Sequence, residues 1–174
     1  MNDMIQTDTV ASSNGLTQDY LRSILKYDQD TGIFTWILPT KYHPRMVGKE
    51  AGSIATGYVT IKIDGKRYKA HRLAWLYVHG AMPRNWLDHK DGDTFNNAIG
   101  NLREATPAQN IANSIRYKGK ELPKGVRRNG SGFTARISFN GTLITIGTFR
   151  TPEIAAAAYF SEATRLYGAF ARAA

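Results

Sequence analysis

Cysteine is absent from the 174-residue chain. That absence excludes disulfide staples, zinc sites built on thiolates and a cysteine nucleophile, and it fits a reducing compartment. Long apolar runs are missing too. No stretch of about 18 apolar residues offers a membrane span, and no charged-then-apolar leader opens the chain. The expectation is therefore a cytoplasmic protein with no membrane partner. Acidic residues are few, with 14 Asp and Glu against 23 Lys and Arg, a net charge of +9. Such an excess favours a polyanionic partner, nucleic acid first among them.

The charge is unevenly spread. Residues 1–40 hold 2 basic and 5 acidic groups, residues 41–114 hold 11 and 6, and residues 115–174 hold 10 and 3, for net charges of −3, +5 and +7. The last third thus carries the strongest attraction for phosphate, and binding there is expected to weaken with salt as counterions are released.

Four segments follow from the pattern: a flexible tail over 1–16, a main domain with its lead-in over 17–114, a linker over 115–122 and a small domain over 123–174. The tail is polar and aperiodic. From Thr17, as N-cap, the spacing of Tyr20, Leu21, Ile24 and Leu25 predicts a helix reaching Tyr27. Asp30-Thr31-Gly32 is a turn into a strand over Ile33–Trp36, followed by a loop region to Gly57. Tyr58–Ile63 alternates, Asp64-Gly65 is a two-residue hairpin turn, and Lys66–Ala70 is the return strand. His71–His79 has helical spacing at Leu73, Trp75, Leu76 and Val78, ended by Gly80 and Pro83. Beyond the Lys-rich linker come strands over Gly125–Arg128, Phe133–Phe139 and Leu143–Phe149. A helix over Pro152–Tyr167 follows, capped by Thr151 and ended by Gly168.

Between Leu87 and Asn113 polar and ionisable residues crowd around two turns: Asp88-His89, Asp91-Gly92-Asp93, Asn96-Asn97, Asn101-Leu102-Arg103, then Thr106-Pro107 opening a helix that carries Asn110 and Asn113. A strand, loop, strand, helix order is expected. Asp, Asn and Gly in loops most often serve turns, so Asp91, Gly92, Asp93, Asn96 and Asn97 are read as structural. A calcium loop is excluded because no Glu stands at the required last position.

With its Asp-His, Asn-Asn, Asn-Leu-Arg and final helical Asn at these spacings, the segment resembles the HNH endonuclease family, in the branch found in phage and intron homing nucleases. The resemblance implies a β-hairpin and helix holding one divalent ion, with His89 as the general base and Asn101 holding the hairpin and orienting His89. Asp88 and Asn110 are then the metal ligands, with Asn113, one turn on, as the alternative to Asn110. Oxygen ligands of this kind favour Mg²⁺ or Mn²⁺ over Zn²⁺. The expected products carry 5′-phosphate and 3′-hydroxyl ends. The family pattern includes a His-Arg-Leu, here His71-Arg72-Leu73, with Arg72 a phosphate contact and His71 divided between that role and packing. His43 and His79 have no evident partners. If the gene is phage-borne, the cytoplasm is that of a bacterial host.

Lys124-Gly-Val-Arg-Arg128, Phe133-Thr-Ala-Arg-Ile137, Ile146-Gly-Thr-Phe149 and Ala155-Ala-Ala-Ala-Tyr159 together resemble the plant ethylene-response-factor (APETALA) DNA-binding domain. That resemblance implies a three-stranded sheet laid in the major groove, with Lys124, Arg127 and Arg136 as the leading contacts and Arg128 and Arg150 behind them. The strand tryptophans of the plant pattern are absent, so no base preference carries over.

The reading is an α+β protein: a ββα-metal nuclease domain joined to a three-stranded antiparallel sheet with one packed helix. It is expected to cut double-stranded DNA as a monomer or as a dimer assembled on DNA. A non-catalytic DNA-binding regulator that keeps the fold is the alternative, and RNA is a further possible polymer, since a basic surface alone does not distinguish the two.

Overall fold

A computed structural model of the protein describes residues 15–41, 44–114 and 121–172. The tail over 1–14, His43 and most of the linker (115–120) lie outside the described residues. Leu16, assigned to the tail, packs against the core.

Helix α1, Gln18–Ile24, starts where Thr17 Oγ accepts from the Tyr20 amide at 3.3 Å. It stops before Leu25, short of the expected Tyr27. Leu25–Tyr27 turns extended instead as strand β1, pairing antiparallel with β2, Phe34–Trp36, so that Leu25 faces Trp36 and Tyr27 faces Phe34. Cross-strand partners that bury both Leu25 and Tyr27 outweigh one further helical turn.

Strands β3 (Ser53–Ala55), β4 (Tyr58–Ile63) and β5 (Lys66–Lys69) form one sheet in that order. The expected hairpin is present, with Asp64 and Gly65 both at positive φ as a two-residue turn requires. Helix α2, Ala70–His79, ends at Gly80 in the left-handed region. Leu21, Ile24, Leu25, Phe34, Ile61 and Leu73 form the fully buried centre under α1, α2 and these strands. Burial of each is worth about 1.5–3 kcal/mol.

Strand β6, Trp86–His89, pairs antiparallel with β7, Leu102–Ala105, and α3, Pro107–Asn113, follows at once. Thr106 caps α3 in a reciprocal capping box with Gln109. This is the ββα unit expected from the motif order. The lead-in clamps the loop joining its strands. Tyr27 Oη donates to the Asn97 carbonyl at 2.7 Å, and the Ile99 amide donates to the Gln29 carbonyl at 3.1 Å. Gly32, at φ +76°, lies so close that a Cβ there would sit 2.3 Å from Asn97 and Ala98 backbone atoms.

The C-terminal module holds β8 (Val126–Asn129), β9 (Gly132–Phe139) and β10 (Thr142–Phe149) in the order β10-β9-β8, with α4, Pro152–Tyr167, packed on one face. Val126, Ala135, Ile137, Ala155, Tyr159 and Ala163 make its core. Gly125 lets the Tyr159 ring approach to where a Cβ would meet it at 2.1 Å. A single turn, Gly168–Phe170, ends α4 and returns the chain toward the ββα unit. The whole is an α+β fold of small antiparallel sheets. Among the described residues no helix is long and apolar enough to cross a membrane.

Candidate active site

Strand β6 presents Asp88 and His89 from adjacent positions, so the two side chains leave opposite faces of the ribbon. Both are almost wholly buried, 4% and 5% exposed. An Asp and a His at such depth need partners, and each has them.

Asp88 is held at both oxygens. Its Oδ1 accepts from Asn113 Nδ2 at 2.9 Å, and its Oδ2 accepts from Arg103 Nε at 2.8 Å. Arg103 Nη2 stands 2.8 Å from the same oxygen, an ionic contact whose angle does not make a second hydrogen bond. Arg103 lies directly across the ladder from Asp88. Asn113 also donates to the His89 carbonyl at 2.7 Å, which ties α3 to the end of β6.

The His89 ring meets the Asn97 side chain, with Nε2 3.4 Å from Oδ1. The Asn97 amide nitrogen donates to the Phe95 carbonyl at 3.0 Å, which turns its oxygen toward the ring. Nε2 therefore carries the proton and Nδ1 the lone pair, an assignment made from the hydrogen-bond network. Burial pushes the His89 pKa down, against the pull of Asn97, Asp91, Asp88 and Asp93. His71 packs edge-on to it, ring centres 5.0 Å apart, and Tyr58 packs on His71 at 5.4 Å. Burial, reinforced by repulsion from His89, Lys69 and Arg72, holds His71 down to about 3. Two buried neutral imidazoles thus stand side by side.

Asn101 closes the loop rather than touching His89. Its Nδ2 donates to Asp91 Oδ1 and to the Asn96 carbonyl, both at 2.9 Å, and its Oδ1 accepts from the Asp91 amide at 3.1 Å. Its carbonyl accepts from the Lys90 amide at 2.9 Å. Asp91 also accepts from the Asp93 amide and Asn96 Nδ2. Burial raises the Asp91 pKa, but the bonds from Asn101, the Asp93 backbone and Asn96 outweigh it and hold the carboxyl below its ordinary value.

The structure distributes the remaining sequence candidates as follows. Asn110 lies one helical turn before Asn113 on α3, partly buried, and its side chain makes no hydrogen bond among the described residues. Arg72 is partly buried beside His71 and has no ionic partner among the described residues. His79 stacks on Trp75 at the surface, ring centres 4.2 Å apart. Asn97, a turn residue by its sequence context, and Arg103, to which the spacing assigns no role, are the side-chain partners of His89 and Asp88; a buried His and a buried Asp each require one.

In the C-terminal module Arg127 pairs with Thr134 across β8 and β9, and Arg136 pairs with Thr145 across β9 and β10. Cross-strand partners share a face, and Ala135 and Ile137 take the opposite one under α4. Arg127 and Arg136 therefore rise from the face away from the helix, beside an open groove of about 770 Å³. Arg136 Nε is buried without a partner there. Arg128 falls on the other face, over the Phe133 ring and 3.8 Å from Glu121. Arg150 is exposed. Lys124 lines the same groove, and its side chain turns toward α3. Its ammonium donates to the Ile111, Ala112 and Ser114 carbonyls at 2.8, 2.6 and 2.9 Å, closing the C-terminal end of α3. Burial, with Arg172 nearby, pushes it down to about 8.

Residues 68–112 match the HNH endonuclease family. The matched segment runs from β5 to the last turn of α3 and includes His71, Asp88, His89, Asn101 and Asn110. The chain is also similar to an uncharacterised HNH endonuclease of Acanthamoeba polyphaga mimivirus, 34% identical over 119 residues. That alignment covers 67% of this chain and 62% of the viral protein, so the chain spans less than two thirds of its relative. No solved structure matches the chain.

Proposed function

We propose that the protein is a DNA endonuclease in which the HNH domain hydrolyses phosphodiester bonds and the C-terminal sheet grips double-stranded DNA. The observation that carries the reading is His89: a buried imidazole with Nε2 fixed by Asn97 and Nδ1 left free, one residue from a carboxylate. A DNA-binding scaffold has no use for that pairing.

The donor set fits one Mg²⁺ or Mn²⁺. Among the described residues no three His, Cys, Asp or Glu cluster as a closed cage, so an ion at Asp88 takes the rest of its shell from helix amide oxygen, DNA phosphate and water, as hard cations accept. Asp88 Oδ1 accepts a single hydrogen bond, from Asn113, and keeps a lone pair, while Oδ2 faces Arg103. Asp88 and Asn110 are the proposed ligands, with Asn113 holding Asp88 in place. When bound, the ion supplies Lewis-acid stabilisation of charge on the phosphate and the leaving 3′ oxygen.

His89 does the proton transfer. Its depressed pKa keeps Nδ1 unprotonated at neutral pH, ready to take a proton from the attacking water, and Asn97 keeps the proton on Nε2. Attack on phosphorus with departure of the 3′ oxygen leaves 5′-phosphate and 3′-hydroxyl ends. Arg127 and Arg136 on the open sheet face bind backbone phosphate. Tethering of the two modules multiplies two modest affinities. The reading extends to a homing-type role in a phage, acting in the cytoplasm of the bacterial host; the resemblance of the Asp88-His89, Asn101 and Asn110 spacing to phage homing nucleases is what supports it.

The test incubates supercoiled plasmid with purified protein in Mg²⁺, Mn²⁺ or EDTA beside His89→Ala. Nicked or linear product that needs metal and vanishes in the variant is expected, and the product form shows whether one strand or both are cut. DNA bound but left intact under every metal condition overturns the nuclease reading in favour of a non-catalytic binder.

A further inference from the structure

Arg103 links Asp88 to the far end of the chain. Its side chain is 16% exposed and held on three sides. Nε bonds Asp88 Oδ2, Nη1 donates to the Ala169 carbonyl at 2.9 Å, and the guanidinium carbon lies 3.7 Å from the centre of the Phe170 ring. A planar guanidinium clamped between a carboxylate, a carbonyl and an aromatic face keeps one orientation. Ala169 and Phe170 belong to the turn after α4, so the second and third of these holds come from the C-terminal module. Arg172, just beyond, donates to the Asp91 carbonyl. Lys124 joins the same two parts of the chain at the C-terminal end of α3.

We propose that the Gly168–Phe170 turn is a docking element that positions Asp88 through Arg103, making Arg103 a positioning residue of the nuclease site. The link to metal rests on the nuclease reading above; the docking itself does not. Asp88 Oδ1 is fixed by Asn113 alone, so rotation of the carboxylate about that bond is stopped by Arg103. Arg103 in turn depends on a backbone carbonyl that only the docked turn supplies. Partners that orient a ligating carboxylate typically change metal affinity by about 10–100-fold when removed. Through this chain of contacts the state of the DNA-gripping module reaches the hydrolytic site.

The experiment uses full-length protein without DNA. Mn²⁺ is titrated calorimetrically into wild type, Phe170→Ala, Phe170→Tyr, Arg103→Gln and the Phe170→Ala/Arg103→Gln double variant. In parallel, the Arg103 Nε–H and Asp88 carboxyl-carbon resonances are recorded by NMR in metal-free protein. Expected are a several-fold loss of Mn²⁺ affinity for Phe170→Ala, recovery in Phe170→Tyr, and a loss of about tenfold for Arg103→Gln. Adding Phe170→Ala to Arg103→Gln then costs nothing more, because the two act through one path. Phe170→Ala also shifts both resonances and speeds exchange of the Arg103 Nε–H with water. Unmoved resonances, additive losses, or tighter Mn²⁺ binding in Phe170→Ala overturn the proposal. A wild type that binds no Mn²⁺ yet shows both NMR shifts leaves docking and positioning standing and instead refutes the metal reading.

Discussion

Asn110 and Asn113 are the same residue type one helical turn apart, and the structure assigns them opposite sensitivities. Asn113 is 4% exposed and its amide donates to a buried carboxylate and a buried main-chain carbonyl at 2.9 and 2.7 Å. Replacing it with leucine removes one charge-assisted bond, worth about 1.5–3 kcal/mol, and one neutral bond worth about 1 kcal/mol, and leaves both acceptors without that donor. Asn113→Leu should therefore lose roughly 3 kcal/mol in urea unfolding, with an unchanged m-value. Plasmid cleavage should fall with it, because Asp88 loses one of its two holds. Asn110→Ala removes no hydrogen bond among the described residues, so its stability should stay within about 0.5 kcal/mol of wild type. As a proposed metal ligand, its loss should lower cleavage by at least about tenfold under the same conditions. An Asn113→Leu protein as stable as wild type refutes the reasoning. So does an Asn110→Ala protein that is the less stable of the two.

Four further outcomes are expected. The folded-state pKa of His71 is depressed from 6.5 to about 3, so the unfolded chain takes up its proton first. This contribution is fully present above about pH 6.5 and is lost as pH falls toward 3, at most about 1.4 kcal/mol per pH unit. Urea midpoints measured from pH 7 to 4 should fall less steeply in His71→Phe, and equal slopes would refute the depressed pKa. Gly32→Ala forces a side chain onto the Asn97–Ala98 backbone at positive φ; a cost of about 2–3 kcal/mol should lower the thermal midpoint by roughly 5–10 °C, and an unshifted midpoint would contradict that contact. Arg127→Gln and Arg136→Gln should each weaken DNA binding and reduce the slope of log K against log salt by about one. Lys124→Gln should leave that slope alone and lower stability instead.

The elements were legible in the sequence wherever a local rule decided them. Thr17 and Thr106 cap helices, Asp64-Gly65 turns a hairpin, and Gly80 stops a helix because each acts on backbone within a few residues. Leu25–Tyr27 continues the helical spacing yet is a strand, because its fate is set by Trp36 and Phe34, across a turn that helical periodicity does not register. The site split in the same way. The adjacency of Asp88 and His89 is a sequence fact. That Asn97 rather than Asn101 faces the His89 ring depends on the Phe95 carbonyl turning one amide, and no spacing reports it. Lys124 looked like one more cation in a basic segment, yet the open carbonyls of α3 captured it, a partner outside its own module.

Three aspartates stand within six residues at the centre of the site, and counting what each accepts separates their duties. Asp91 accepts from Asn101, Asn96 and the Asp93 amide, and Asp93 accepts from the Phe95 amide. Both serve the loop itself and are exposed, where a turn needs a carboxylate. Asp88 accepts nothing from the loop. It is buried, its bonds come from Arg103 on β7 and Asn113 on α3, and its Oδ1 keeps a lone pair that Asn113 does not use. A buried charge is costly unless it is paired, and the two donors that stabilise it here come from two different elements. The strand ladder fixes one donor and the capped helix fixes the other, so the position of Asp88 depends on β6, β7 and α3 keeping their mutual geometry. His89 inherits the same dependence through the bond from Asn113 to its carbonyl. Within the ββα unit both side chains are thus tied to all three elements, and the turn after α4, which holds Arg103, adds an outside support to the same arrangement.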